Sequence, residues 1–292
     1  MRYSKDVFYL NIIAYTVTGL YALMCILPFI MIVSGSLSEE ARIIREGFGF
    51  LPKNLNLDAY KYLLKSPQTF IDGYKVTIMV TAAGTILSLL LISMTAYVMF
   101  RKDFPYRNQI AFFFYFTTLF NGGMMAHYIM MVRYLHVKNT ILALLIPGML
   151  NVFYLLVMRN FMQSSIPESL IEAAKIDGAG DFYIFARVVM PLMKPALASI
   201  GLFIALHYWN DWSAAMLYIN KRTLKPLQYI LYDMLQSSQS SQVASESGIS
   251  ARAPNETFKL AMTVVATGPI VLAYPMVQKY FVKGITIGAV KG

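Results

Sequence analysis

Charged residues punctuate this chain and leave long apolar gaps between them. Uncharged stretches run from Val7 to Ser38, Val76 to Phe100, Asn108 to Val132, Asn139 to Met158, Pro195 to Asn220 with only Asp211 interrupting, and Leu260 to Gln278. Crossing about 30 Å of hydrocarbon takes roughly 20 residues of helix, so each stretch is near or above the length of a span. The runs are continuous rather than alternating, which excludes barrel strands, and lipid then leaves only helices to satisfy the backbone. Six runs of this length exceed what one globular core can bury. The pattern predicts an all-α membrane protein with six transmembrane helices.

Composition supports this: 57% of the 292 residues are apolar and 14% are charged, far from the mixture of a soluble domain. A net charge of +10 raises the question of nucleic acid, yet the Lys and Arg residues mostly sit at the ends of spans and form no basic block, so nucleic acid is discounted as a partner. The first apolar run exceeds the roughly 7 to 15 residues of a cleavable signal and reads as a retained span. Cys25 is the single cysteine, so neither an intrachain disulfide nor a thiolate metal site is expected. The short flanks holding Arg2 and Lys5, Arg101, Lys102 and Arg107, and Lys279, Lys283 and Lys291 are basic. That bias places both termini in the cytoplasm, although Arg133 and Lys138 fall on the opposite side. Among the outer loops, Ser36-Leu37-Ser38-Glu39 has the form of a capping box that would start a helix. Met234 to Ser245 is uncharged but polar, and is expected to be exposed and irregular.

One connection is unlike the others. Arg159 to Lys194 is too polar to cross and much longer than the usual connection of about 2 to 8 residues between bundled helices. It contains Ser165-Ile166-Pro167-Glu168, readable as a capping box with Pro in the first turn. Leu170, Ile171 and Ala174 give the next turns an apolar stripe, and Gly178 suits the left-handed position that ends a helix. A second amphipathic stretch carries Phe182, Phe185, Val188, Val189 and Leu192. Read from this pattern alone, the segment is either a docking element or a helix lying at the lipid interface with no partner.

The order Glu172-Ala173-Ala174, Asp177-Gly178-Ala179, Phe185 and Pro191 resembles the EAA loop of the inner-membrane subunits of binding-protein-dependent ATP-binding-cassette importers. Val188 and Met190 stand where that pattern more often has Ile and Leu. The resemblance extends from about residue 72 to the end. It implies a type I importer permease fold, divided into a first span with its outer loop (1–71), a transmembrane core with the EAA loop (72–281) and a cytoplasmic tail (282–292). It also implies that Glu172, Ala173, Ala174, Asp177 and Gly178 form a coupling helix seated on an ATPase dimer. ATP and magnesium would be bound by that ATPase and no cofactor by this chain. A second permease subunit, an extracellular solute-binding protein and a carbohydrate substrate complete the implied set of partners.

No Gly-x-x-x-x-Gly-Lys-Ser/Thr is present, and His127, His136 and His207 form no His-Glu-x-x-His motif, so the chain is not expected to be an enzyme. The tail from Gln278 to Gly292 resembles the sugar-importing, maltose-type branch, in which it reaches toward the ATPase; Gly288 and Gly292 would permit close approach, unless the tail is simply a frayed basic end. Phe120-Asn121-Gly122-Gly123-Met124 resembles a stretch of permeases for polysaccharide fragments, though paired glycines also serve close helix packing. In the fifth run, His207, Asn210 and Asp211 would share one helix face and Trp209 and Trp212 another. They are candidates for a sugar pathway, or for an interfacial aromatic belt. An importer of another solute class or an ion-coupled secondary transporter stands as the alternative, the latter disfavoured because Asp211 is the one acid in any run.

Overall fold

The computed structural model describes residues 5–52, 54–65, 67–246 and 256–271. All regular elements among them are helical: α1 (Lys5–Ser36), α2 (Glu40–Glu46), α3 (Asp58–Lys65), α4 (Pro67–Phe100), α5 (Arg107–Leu119), α6 (Gly123–Ile129), α7 (Leu142–Leu145), α8 (Val152–Ser165), α9 (Glu168–Ile176), α10 (Asp181–Tyr183), α11 (Met190–Leu192), α12 (Lys194–Asn210), α13 (Ser213–Tyr218) and α14 (Leu227–Glu246). A last helix, α15, covers 256–271. The tail 282–292, with Gly288 and Gly292, lies outside the described residues, as do Lys279, Lys283 and Lys291.

Two compact units emerge, Met1–Gln68 with Leu231–Gly268, and Thr69–Ile230 with Pro269–Gly292. In the first, the side chains of α1 are exposed from Val7 to Ile30, as suits an all-round apolar helix whose solvent is lipid. Ser36 does not cap a new helix; it is the last residue of α1. Its hydroxyl donates to the Val33 carbonyl and shares a 2.8 Å hydrogen bond with Tyr60, while Glu39 accepts from Asn54 instead. The capping is done by Glu40, whose carboxylate accepts from the Glu256 and Thr257 amides and the Thr257 hydroxyl at 2.6–2.9 Å. An anion placed there satisfies the unpaired amides that begin α15 and meets the positive end of its dipole. The polar stretch Met234 to Ser245 is not irregular: α14 runs through it.

Over the described residues the predicted spans are only partly continuous. Two described helices, Val7–Ser36 and Pro67–Phe100, are each long and apolar enough to cross, and two bent pairs, Leu142–Gly148 with Val152–Ser165 (54°) and Asp181–Leu192 with Lys194–Asn210 (82°), raise the number to four when each pair counts as one span. The third run breaks at Phe120–Gly122, where Asn121 accepts from the Gly123 amide and Gly123 takes φ +80°. A Cβ on Gly123 would meet nothing within 4 Å, so within this chain the glycine serves a turn and not helix packing. The fifth run ends its first helix at Asn210, and Asp211 accepts from the Ser213 amide and hydroxyl and the Ala214 amide at 2.8–3.2 Å. Asp211 therefore caps α13 and is not a member of one continuous helix face with His207.

Tyr208 locks the unit together. Where Pro147 and Gly148 tighten the chain after α7, the Met149 amide bonds to Ile146, leaving the Leu145 carbonyl without its α-helical partner. The Tyr208 hydroxyl supplies one at 2.8 Å and lies 3.3 Å from the Ser88 hydroxyl of α4. Its ring reaches that point because two glycines leave room: a Cβ on Gly84 would fall 2.5 Å from the ring, and one on Gly148 3.0 Å.

Gly84→Ala should therefore lower the thermal midpoint in detergent by an amount equivalent to about 1–3 kcal/mol of overpacking. Gly19→Ala, on α1 with nothing within 4 Å, should have no such effect. Tyr208→Phe keeps the ring but orphans a carbonyl, and should cost about 1–3 kcal/mol. Equal midpoints for Gly84→Ala and Gly19→Ala would refute the slot.

Candidate functional site

The EAA segment folds as a short helix held at both ends. Pro167, extended at φ −62° and ψ 136°, sets the entry, and the chain starts without a side-chain cap: Ser165 is the last residue of α8, not the first of a capping box. Glu168 opens α9 and Lys175 lies in its last turn, each charge opposing the nearer pole of the helix dipole. The exit is a Schellman turn, with the Gly178 amide on the Lys175 carbonyl at 3.0 Å, the Ala179 amide on that of Ala174 at 2.9 Å, and Gly178 at φ +81°.

One side of α9 faces the protein. Ile171 is buried and Ala174 packs against the core, whereas Leu170, expected in the apolar stripe, is 43% exposed. Glu172, Ala173, Asp177 and Gly178 are exposed. Ile176, which the sequence pattern did not single out, is 87% exposed. Among the described residues, the Glu172 and Asp177 carboxylates accept no hydrogen bond and form no ion pair.

The adjacent residues, by contrast, are engaged by three consecutive side chains beyond the end of α4. Arg101 is 8% exposed in its side chain and bonds to Asp103 at 2.6 and 2.8 Å and to Asp181 at 2.7 Å. Lys102 pairs with Glu168, and Lys175 with Asp103, both at 2.5 Å. The Arg101 guanidinium also lies 5.4 Å from the centre of the Tyr97 ring, which meets Phe185 at 5.4 Å. Hydrogen bonds from Arg101, then from Lys175, hold the Asp103 carboxyl well below the usual carboxylate range. Sequence reasoning counted Arg101 and Lys102 only as topogenic charges. An acid placed directly after two basic residues at the end of a span was the one available sign of the clamp.

The other candidates are partly brought together. His207, Asn210, Asp211 and Trp212 line an open hollow with Phe203, Leu206 and Ser213. Trp209 is buried elsewhere, 8% exposed. Asn210 donates to the Leu206 carbonyl at 2.9 Å. The hollow mixes an aromatic face, an imidazole and amide and carboxylate groups, a set able to stack on a ring and bond to hydroxyls.

Residues 88–287 match the pattern of the binding-protein-dependent transport system inner membrane component. This chain belongs to that family. Among relatives of this inner membrane component, the polygalacturonan/rhamnogalacturonan transport system permease YtcP of Bacillus subtilis is 39% identical over 274 residues, covering 94% of this chain and 95% of the relative. The protein LplC of the same organism is 39% identical over 267 residues, covering 91% and 90%. A bacterial ABC transporter involved in import of the acidic polysaccharide alginate has a chain of the same fold, with TM-score 0.80, 31% identity and coverage of 96% of this chain and 99% of that one. The chain is thus a multi-pass transport permease with the fold of an ABC importer subunit, and the ion-coupled alternative is set aside.

Gly178→Ala should strain only the backbone, since a Cβ there meets nothing within 4 Å; the cost of about 1 kcal/mol should speed hydrogen exchange at the Gly178 and Ala179 amides about fivefold. Gly180→Ala, equally open but at φ −71°, should leave those rates unchanged. Because folding lowers the Asp103 pKa, its contribution is complete above the ordinary carboxyl value near about 4 and is lost as pH falls below it. The midpoint difference between the native chain and Asp103→Asn should accordingly be constant from about pH 8 to 5 and shrink below about pH 4. A difference that changes between pH 8 and 5 would contradict this assignment.

Proposed function

We propose that this chain is one permease subunit of an ATP-driven importer that carries a carbohydrate, an oligosaccharide or polysaccharide fragment, through the cytoplasmic membrane by alternating access. The observation that carries the coupling part of this reading is the contrast on α9. Glu168 and Lys175 are consumed by pairs within the chain, while Glu172, Ala173, Ile176 and Asp177 face outward with two carboxylates unpaired. Small Ala173 permits close approach, Ile176 offers apolar area, and Glu172 and Asp177 offer acceptors to basic or amide groups. This is a surface prepared for a cleft on another protein, the ATPase dimer, which binds ATP and magnesium and performs the hydrolysis.

The remaining organisation follows from that assignment. Six spans, both termini in the cytoplasm and the divisions 1–71, 72–281 and 282–292 make α9 cytoplasmic. The hollow at His207, Asn210 and Trp212 then lies toward the other side, where a solute-binding protein delivers substrate. A second permease subunit closes the pathway. The carbohydrate reading draws on the cargo in the relatives' names, and the aromatic and amide lining of the hollow suits a sugar ring with its hydroxyls.

Reconstituted with its ATPase, partner permease and binding protein, Glu172→Lys should lose ATP-driven uptake or release the ATPase on purification. Uptake equal to that of the native complex would overturn the assignment of α9. For the hollow, His207→Ala with Asn210→Ala should reduce uptake without loss of assembly; Asp211 is a poor probe because its removal uncaps α13.

A further inference from the structure

We propose that Arg101 is a positioning residue that makes α9 and α4 a single rigid body, so that force applied to the coupling helix drives α4 rather than the helices adjoining it in sequence. The proposal rests on the reading of α9 as the element that docks on the ATPase. The clamp takes hold at three places: Lys102 at the start of α9 through Glu168, Asp103 at its end through Lys175, and Arg101 beyond the turn through Asp181. All three come from consecutive residues immediately after α4.

The helices adjoining α9 in sequence are broken rather than straight. The chain entering α9 comes from a pair bent by 54°, and the chain leaving it enters one bent by 82°, so neither offers a straight path through the unit. By contrast α4 is one helix of 34 residues, about 51 Å at 1.5 Å per residue. About 20 to 25 Å from Arg101 along that helix, Ser88 and Gly84 hold Tyr208, whose neighbour His207 lines the hollow. A push on α9 therefore reaches the hollow through the α4–Tyr208 slot. The buried guanidinium makes the junction stiff, because breaking any of its pairs leaves a charge with little access to water.

The test uses the complete transporter in proteoliposomes, in a Cys25→Ser background, with ATP hydrolysis and uptake measured together. Lys102→Cys and Glu168→Cys are joined by a short bifunctional thiol reagent, and the link is verified by peptide mass. A rigid junction predicts that the linked transporter has the uptake per ATP of the native transporter. Arg101→Met should lower uptake per ATP about tenfold, within the range for residues that carry coupling, and the cross-link should restore it. A residue needed only for folding would lower hydrolysis and uptake in proportion, with no rescue. Loss of uptake on linking in the native Arg101 background, or an unchanged ratio in Arg101→Met, would overturn the proposal. Should Arg101→Met not assemble, the link in the native background decides alone. Failure of the α9 reading itself would show separately, as undiminished ATP-driven uptake by Glu172→Lys.

Discussion

A helix that breaks inside a bilayer strands amides and carbonyls where water does not reach, and each must find a partner within the protein. Much of the second unit is organised by that constraint. Pro147 and Gly148 end α7 early, and the freed Leu145 carbonyl is met by Tyr208 from a helix 63 residues distant. The break after Asn210 is met by the Asp211 carboxylate, which receives three donors at 2.8–3.2 Å. Asn151 does the same for α8 through the Phe153 amide. The polar residues found in the apolar runs are thus first of all the means of breaking a span. Any chemistry toward a substrate would be added to that duty: Asp211 accepts from the Ser213 and Ala214 amides and Asn210 donates to the Leu206 carbonyl, while both line the hollow.

The same economy of partners governs the charges beyond α4. A guanidinium that is 8% exposed requires counter-charges with good geometry, and Arg101 receives two carboxylates and an aromatic face. The exposed pairs on either side are individually weak, since solvent screens them and two long side chains must be ordered. Their weight comes from convergence: Asp103 accepts from both Arg101 and Lys175, so the pairs act as a network with one buried centre.

The helical character of the chain, the two unbroken apolar runs Val7–Ser36 and Pro67–Phe100 and the turn at Gly178 were legible because each is local; where the other runs break was not. Nor were the caps. Ser36 and Ser165 both have the sequence neighbourhood of a helix start and both are the last residues of preceding helices; the pattern does not encode whether the earlier helix has stopped. The Gln- and Ser-rich stretch after Met234 is helical because polarity argues against burial, not against helix, and Gln is a good helix former. The clamp was out of reach for a different reason. Its partners are 66, 72 and 80 residues apart, and nothing in a single sequence pairs Arg101 with Asp181.

These features decide how a short helix on the surface can have a mechanical role. A helix of nine residues is marginal alone, since nucleation is costly and few hydrogen bonds follow. It would yield under load if fixed only by its chain ends. Here Glu168 and Lys175 are tied to residues that directly follow an unbroken helix of 34 residues, and Glu172 and Asp177 are left unsatisfied. On the proposed reading of α9, either reversal would uncouple it: free Glu168 and Lys175 would give a docked helix that moves nothing, and satisfied Glu172 and Asp177 a stiff helix with nothing to hold. The partition of Glu168 and Lys175 from Glu172 and Asp177 on one helix is therefore what the proposed coupling role of this segment rests on.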